Sequence, residues 1–449
     1  AMAAFLLGLP TTQQIVRAAD YSEYSKTYGF FVQDDWKVTQ NLTLNLGLRW
    51  EVETPLVEKQ NKSVSAFDFG YIQPSQAAAR ARLVTNPVIG YDGQPINPAT
   101  FNVTGGLLFA GKDTGEGLYN TPKDTFLPRI GATYRLNDKT VLRGGFGLFA
   151  GFLGERRGDV IQPGYRQVTT RPTTLLASGA VIPQSMATFP TSISIIEPVG
   201  NAKGRQTSLG TGISFFNQNP EVSKQARFQF GIQRDLGWDY VLEAVYVGNY
   251  GYDIEISRNI NALPNQYLNT DNSRTAAMTA NNTNLGQQVA NPFAGLADYA
   301  GTSFFNATIA RSQLLRPFPN FGDITTSVND GKSWYHSMQL SLNKRFSQGY
   351  TLGASYTWSK WLQQTEFLNA GDATPTKMIS DQDTPHRLAI SGIYELPFGK
   401  GAAYLNDVNG VVDRIVGGWQ VGGVFQYQVG FPIPFGTNMF YNGGDISLS

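Results

Sequence analysis

Apolar and polar residues alternate along several segments of the chain. In the segment 42–50, leucine stands at every even position from 42 to 48, and polar or small residues stand between the leucines. The segment 349–358 repeats this pattern with Tyr350, Leu352, Ala354 and Tyr356. Because successive side chains of a strand point to opposite faces of a sheet, a period of two predicts strands with one apolar face and one polar face.

Such segments recur along the whole chain, and compact polar turns separate many of them. The turns at 37–41, 137–139, 235–239 and 346–349 contain Asn, Asp or Gly, which tolerate the positive φ of tight hairpins. The pattern predicts strands near 11–18, 24–36, 40–52, 126–137, 139–152, 222–235, 239–250, 335–347, 349–361, 385–396 and 417–429, and weaker ones near 63–69, 165–171, 207–216 and 322–329.

Very long connections alternate with these short turns. They span 53–125, 153–221 and 251–321, about 70 residues each, which is uncommon in a compact soluble domain; a shorter one spans 362–384. Since antiparallel strands reverse direction at every turn, all the long connections fall at one end. The predicted fold class is an all-β, antiparallel transmembrane β-barrel with short periplasmic turns and long extracellular loops, present in part with roughly 11 to 15 strands.

Aromatic residues agree with this geometry. They mark the strand ends near the short turns and again the opposite ends, as expected where amphipathic rings settle at both membrane interfaces. A general preference of aromatic residues for strands is the alternative explanation. The first group is Trp36, Trp238, Tyr240, Phe346, Tyr350 and Trp419, and the second is Trp50, Phe152, Tyr250, Trp334, Trp358 and Trp361.

The composition narrows the classes of function. Charged residues are only 15%, and 35 Lys and Arg balance 34 Asp and Glu, so the net charge gives no reason to expect a nucleic-acid partner. The chain has no cysteine, which excludes disulfides and thiolate metal sites. No apolar run approaches the roughly 18 residues of a membrane helix.

The polar positions of the strands predict the face that lines a watery lumen. A charge on the lipid face near the membrane midplane would cost about 2–4 kcal/mol, so charged residues should point inward. A soluble sandwich with its polar face outward explains the alternation equally well, but it explains the one-sided loops and the two aromatic belts poorly. The candidate lumen-facing residues are Asn45, Arg49, Arg129, Arg135, Arg143, Gln229, Gln233, Glu243, Gln339 and Asn343.

The most enzyme-like cluster is the segment 381–387. Asp381, Asp383 and His386 could bind a metal or act as acid and base, but no second histidine lies nearby in the sequence, so we interpret the segment as a polar turn leading into a strand. The glycine-rich segment 144–151 has no phosphate-loop lysine. We predict no catalytic residue, no metal site and no cofactor, and a protein that is not an enzyme.

Several segments resemble the barrel of TonB-dependent receptors. The segments Tyr28–Val38 and Asn41–Glu51 carry the closest resemblance, to the Oar-like subgroup that has an N-terminal carboxypeptidase-regulatory-like domain. Segments 5–10, 356–360, 383–387 and 395–399 are similar to the same family. The resemblance implies a 22-stranded barrel with a plug in its lumen. It also implies outer-membrane lipid and the TonB energising complex as partners.

From this resemblance we expect residues 1–449 to form part of one outer-membrane β-barrel domain of a longer precursor. The plug, the TonB box and the regulatory-like domain are absent from this sequence. The expected function is a receptor whose long loops capture a ligand, such as an oligosaccharide, peptide or siderophore, and pass it through the lumen. The alternatives are a structural or adhesive barrel without active transport and a soluble all-β carbohydrate-binding protein.

Overall fold

A computed structural model describes residues 13–153, 160–171, 174–175, 181–182, 195–268 and 276–433. Its main element is a 12-stranded sheet, in which ten strands pair in chain order and two short strands attach to them. This agrees with the expected all-β fold. The ten strands are β1 (Thr27–Lys37), β2 (Leu42–Glu53), β3 (Thr125–Asn137), β4 (Thr140–Ala150), β5 (Lys224–Gly237), β6 (Tyr240–Asn259), β7 (Ile324–Ser347), β8 (Tyr350–Glu366), β9 (His386–Glu395) and β10 (Gln420–Gln428).

Short turns join the strands at one end of the sheet. Between β5 and β6 the chain reverses through Gly237, Trp238 and Asp239, which all have positive φ, and between β7 and β8 through Gln348 and Gly349, which also do. Such backbone angles match the twist of two-residue hairpins. The long connections all leave from the other end, as predicted. The helix α4 (Gly410–Val416) lies in the longer connection between β9 and β10.

The strand registers separate the two faces of the sheet. Leu46 lies opposite Ile130, whereas its neighbour Asn45 lies opposite Gly131. Since directly opposed residues point to the same side, the leucines of β2 share an apolar face, and the polar positions of β2 share the other face. The same alternation runs through the paired registers as far as β8.

Aromatic side chains cluster at both ends of the strands. At the long-loop end, the ring of Trp50 stacks between Phe30 and Phe126, at centroid distances of 5.7 and 6.2 Å. At the short-turn end, the hydroxyls of Tyr240 and Tyr350 lie 2.7 Å apart. One position differs from the predicted outward belt. Trp361 lies opposite Tyr335, on the polar face, where its indole N–H donates to Ser333 Oγ at 2.9 Å.

Three long connections fold together into a compact unit, which we call the loop cap: the described parts of 54–124, 195–223 and 260–323. Its core joins residues of all three connections; the ring of Phe67 lies 5.4 Å from Phe215 and 5.3 Å from Phe318. The fully buried residues include Val64, Val103, Leu107, Phe109, Phe293, Tyr299, Phe321 and Ile324. The sequence predicted long loops here with weaker strands near 63–69 and 207–216, and no packed core, so this core is a structural finding.

Short regular elements support the loop cap. The helices are α1 (Ser75–Thr85), α2 (Ala276–Gly286) and α3 (Arg311–Leu314). The strands Val64–Ile72 and Thr104–Phe109 pair, as do Gln288–Ala290 and Thr308–Ala310, and Glu23–Tyr24 with Val57–Glu58. The predicted strand near 11–18 exists as Gln13–Ala18, but it pairs with Arg166–Arg171 and not with the main sheet. Strands also occupy Thr174–Leu175 and Val181–Ile182.

Several buried polar groups of the loop cap have hydrogen-bond partners. The side-chain amide of Asn261 donates to the carbonyls of Phe318, Phe321 and Gly322 at 2.9, 3.2 and 2.7 Å. The hydroxyls of Ser75 and Tyr299 lie 3.1 Å apart, and burial raises the pKa of Tyr299 well above its ordinary value. The Asn261 bonds hold the two ends of the connection 260–323 together, and the Ser75–Tyr299 pair joins that connection to 54–124. Among the described residues, no helix has the length and apolarity to cross a membrane.

Replacing Leu46 by arginine should impair insertion of the barrel. Leu46 lies on the apolar face, where a charge near the midplane costs about 2–4 kcal/mol. Asn45→Arg is the matched control on the polar face, where Asp35 is available as a partner for the new cation. The measurement is the fraction of folded, heat-modifiable protein after insertion into vesicles. Equal assembly of both variants would contradict the assignment of the faces.

Replacing Phe293 by alanine should loosen the loop cap. Phe293 is fully buried, with Tyr299 at 4.9 Å and Phe304 at 6.0 Å between ring centroids. Removing such a ring costs about 3–5 kcal/mol. Phe305→Ala is the control, because Phe305 is 43% exposed. Hydrogen exchange in the cap should accelerate strongly for Phe293→Ala only; similar rates for the two variants would argue against a packed cap.

Candidate ligand site on the polar face of the sheet

All ten residues predicted to face a lumen lie on one face of the sheet. Gln229 lies opposite Gly145, which lies opposite Gly131, which in turn lies opposite Asn45. The same face continues through Glu243, which lies opposite Gln233. By these registers the shared set is Asn45, Arg49, Arg129, Arg135, Arg143, Gln229, Gln233, Glu243, Gln339 and Asn343.

Two arginines enclose an aromatic ring on this face. The guanidinium carbons of Arg129 on β3 and Arg227 on β5 lie 4.8 and 5.1 Å from the ring centroid of Phe149 on β4. Each distance suits a cation–π contact. We call these three residues the arginine clasp. Arg227 is further held by Gln225, whose Oε1 accepts hydrogen bonds from Nε and Nη2 at 3.2 and 2.7 Å.

Glycines of β4 make room for the clasp. A Cβ atom built on Gly147 would lie 3.0 Å from the ring of Phe149 and 3.5 Å from the side chain of Arg129. Gly145 lies beside the side chain of Gln229, at 3.7 Å. The glycine-rich segment 144–151 therefore serves close approach of side chains across the strand, which is a usual role of glycine inside strands.

The clasp borders an open pocket of about 590 Å³ on the polar face. A neighbouring depression of about 410 Å³ is lined by Phe31, Arg49, Glu51 and Leu127, and it shares Arg129 with the first. The first pocket offers amide and guanidinium groups above an apolar floor. Its polar lining consists of Gln33, Asn45, Arg129, Arg227 and Gln229.

Among the described residues, no carboxylate forms an ion pair with the guanidinium groups of the clasp. Arg49 forms an ion pair with Glu51, but within the described ranges neither Arg129 nor Arg227 forms a salt bridge. An unpaired guanidinium presents several N–H donors in a planar fork, which matches carboxylate and phosphate oxygens. The arrangement can therefore bind an anionic group and stack a planar one against Phe149.

Comparison with known proteins agrees with the fold. The sequence profile described as outer membrane beta barrel domain matches residues 1–446. The chain belongs to this family of outer-membrane β-barrels. The barrel domain therefore resides in the outer membrane. No curated protein matches it in sequence.

Several solved outer-membrane receptors are similar to this chain, at low sequence identity and low TM-score. The alcaligin receptor of Bordetella pertussis is 10% identical, with a TM-score of 0.33 over 91% of this chain and 38% of that one. The pyoverdine-bound receptor FpvA of Pseudomonas aeruginosa is 11% identical, with a TM-score of 0.36 over 91% of this chain and 29% of that one. The ferric yersiniabactin receptor of Yersinia pestis is 8% identical, with a TM-score of 0.34 over 88% of this chain and 34% of that one. The barrel domain described here thus spans about a third of the length of these receptors.

The remaining predicted residues of the barrel domain lie nearer the short turns. Arg135 Nε donates to Asn41 Oδ1 at 3.0 Å. The side-chain amides of Gln339 and Asn343 donate to the hydroxyls of Ser337 and Ser341, at 3.2 and 2.9 Å. These residues bond to polar neighbours on or next to their own strands and are not drawn into the clasp.

Phe149 and Arg227 are missing from the sequence prediction. Both lie on the polar face. Phe149 is two residues beyond Gly147, which lies opposite Arg129 on one side and Arg227 on the other; Arg227 is two residues before Gln229 on β5. A signal was available for Phe149, because it follows Gly145 and Gly147 at every second position. An aromatic residue in register with two glycines on a polar face suggests a ring that lies over them.

The acidic cluster at 381–387 has a structural role. Asp383 is almost fully buried; its Oδ1 accepts the backbone N–H of Trp361 at 2.8 Å, and its Oδ2 accepts Lys360 Nζ at 3.0 Å. His386 lies on the apolar face, with Nδ1 2.9 Å from the Tyr356 hydroxyl. Among the described residues no three His, Cys, Asp or Glu side chains group as metal ligands.

Replacing Gly147 by valine should destabilise the barrel domain by about 1–3 kcal/mol, because the added atoms would press on the Phe149 ring and on Arg129. Gly423→Val on β10 is the matched control, since a Cβ there meets nothing within 4 Å. The measurement is the urea midpoint of the inserted protein. An equal shift for both glycines would show that the clasp is not tightly packed.

Proposed function

We propose that this chain is the barrel part of a TonB-dependent outer-membrane receptor that takes up a ligand. The observation that supports this most directly is the arginine clasp, an uncompensated cationic site on the polar face. It lies toward the end of the sheet from which the long connections leave. A ligand released by the loop cap would meet the clasp on its way along the polar face.

The lumen assignment belongs to the same proposal. In a closed barrel with an apolar outer surface, the polar face lines the interior, and charged residues there avoid the cost of contact with lipid. Asn45, Arg129, Gln229 and their neighbours would then form part of the wall along which the ligand moves. The solved structures similar to this chain include the alcaligin receptor and the pyoverdine-bound receptor FpvA.

The charge of the clasp favours an anionic ligand. Of the three ligand classes expected from the sequence, it suits those that carry carboxylates, such as acidic siderophores, acidic peptides or acidic oligosaccharides. Guanidinium groups bind carboxylates through paired, charge-assisted hydrogen bonds. A planar catecholate or aromatic group could in addition stack on Phe149.

Energy for transport would come through the TonB complex of the inner membrane. The dependence on TonB is proposed from the resemblance of Tyr28–Val38 and Asn41–Glu51 to the Oar-like subgroup. A plug in the lumen would face the polar wall and the clasp.

The double variant Arg129→Gln/Arg227→Gln of the intact receptor should lower the affinity for its anionic ligand about tenfold or more, the equivalent of about 1.4 kcal/mol or more. The measurement is binding and uptake with a panel of acidic siderophores, peptides and glycans. Arg234→Gln is the control, because Arg234 lies opposite Leu242, on the other face. Equal losses for both would argue against a ligand site at the clasp.

Uptake should also require the proton gradient of the inner membrane. Uptake that stops when the gradient is collapsed supports energised transport. Binding to cells or matrix without uptake, unaffected by the gradient, would instead support the structural or adhesive barrel.

A further inference from the structure

Basic and aromatic residues form a second cluster, on the apolar face of the sheet at the long-loop end. We call Lys332, Trp334, Lys360 and Lys377 the rim cluster. Trp334 on β7 lies opposite Leu362 on β8, which lies opposite Ile379 in the short strand Thr376–Ile379. Lys332, two residues before Trp334, shares its face. The ammonium of Lys377 lies 4.7 Å from the Trp334 ring centroid.

The height of the rim cluster follows from the strand geometry. On β7, about ten residues separate Trp334 from Lys344, whose Nζ lies 3.9 Å from the ring centroid of Tyr350 in the short-turn belt. Ten residues span roughly 33 Å along a strand. With the usual tilt of 35–45°, this corresponds to about 25 Å across the membrane, the height of the apolar band. The rim cluster therefore lies at the level of the lipid headgroups.

Two of the three lysines carry uncompensated charge. Lys360 pairs with the buried Asp383 at 3.0 Å. Lys332 and Lys377 are exposed and form no salt bridge within the described part of the chain. Glu366, opposite Thr376 at the outer end of the cluster, is not within salt-bridge distance of either lysine. His336, on the same face below Trp334, has Nδ1 2.7 Å from the Tyr246 hydroxyl.

Lysines on a lipid-facing surface need an anionic or aqueous environment for their ammonium groups. At the headgroup level the apolar stem can lie against the barrel while the ammonium reaches outward. Trp334 between the two free lysines adds a ring that favours the interface. The anionic group available at this height is a lipid phosphate, which the ammonium groups of Lys332 and Lys377 can contact together.

We propose that the rim cluster binds the phosphate group of an anionic lipid in the leaflet on the long-loop side. Lys332 and Lys377 donate to the phosphate oxygens, and Trp334 packs against the glycerol and upper acyl region. The inference needs only that the apolar face meets lipid. It stands independently of any ligand or transport step at the arginine clasp.

Native mass spectrometry of the intact receptor in detergent tests this, with short-chain phosphatidylglycerol and phosphatidylcholine as probes. The wild-type receptor should prefer phosphatidylglycerol by about tenfold. Lys332→Gln/Lys377→Gln should remove most of this preference. Lys139→Gln/Lys400→Gln, which changes two exposed lysines at the short-turn end, should retain it. An unchanged preference in the first double variant would overturn the proposal.

Two measurements on the wild-type receptor keep the test decisive if the variant fails to fold. The preference for phosphatidylglycerol should fall as salt rises, because exposed charges are screened. A preference that does not respond to salt would overturn the proposal. Inorganic phosphate at the lipid concentration should not displace the bound lipid; displacement would indicate a site for free phosphate instead.

Discussion

Backbone hydrogen bonding is the constraint on which the rest of this structure depends. Hydrocarbon offers no partner for a peptide N–H or C=O, so a strand inside a bilayer must be paired along its length by its neighbours. The ladder between β5 and β6 runs from Lys224 opposite Tyr252 to Gly237 opposite Tyr240, with a single irregularity at the turn. This pairing fixes the register, and the register decides which side chains share a face. The arginine clasp and the rim cluster are both products of it.

The sheet and the loop cap are stabilised in different ways. The sheet exposes large side chains on its apolar face, such as Phe230 and Phe425 at 60% and 56%, because lipid completes their surroundings. The loop cap lies beyond the sheet and buries its own aromatic core around Phe67 and Phe293, as a small water-soluble domain does. The sheet is thus stabilised as a membrane structure and the loop cap as a structure in water, and the two regions meet at the long-loop end of the strands.

The sequence predicts the sheet well and the loop cap poorly. Alternation and hairpin residues are local signals, and ten of the eleven stronger strand predictions became the ten strands in chain order. Their lengths were underestimated where β6 extends to Asn259 and β7 begins at Ile324, because bulges near Gly251 and Ile254 interrupt the alternation. Contacts such as Phe67 with Phe318 join distant parts of the chain and leave no period in the sequence. Arg227 escaped prediction for a similar reason, since its role depends on the Phe149 ring, which lies on the neighbouring strand β4 and is distant in the sequence.

The span of the loop cap's contacts has a consequence for biogenesis. The hydroxyls of Ser75 and Tyr299 meet although 224 residues separate them in the chain. Closing so long a loop is entropically costly unless the intervening strands already hold its ends near each other. The hairpins β3–β4 and β5–β6 do this, because they return the chain to the same end of the sheet. We therefore expect the cap to consolidate only after those hairpins have entered the membrane in register, so that a packed cap reports a correctly assembled barrel wall.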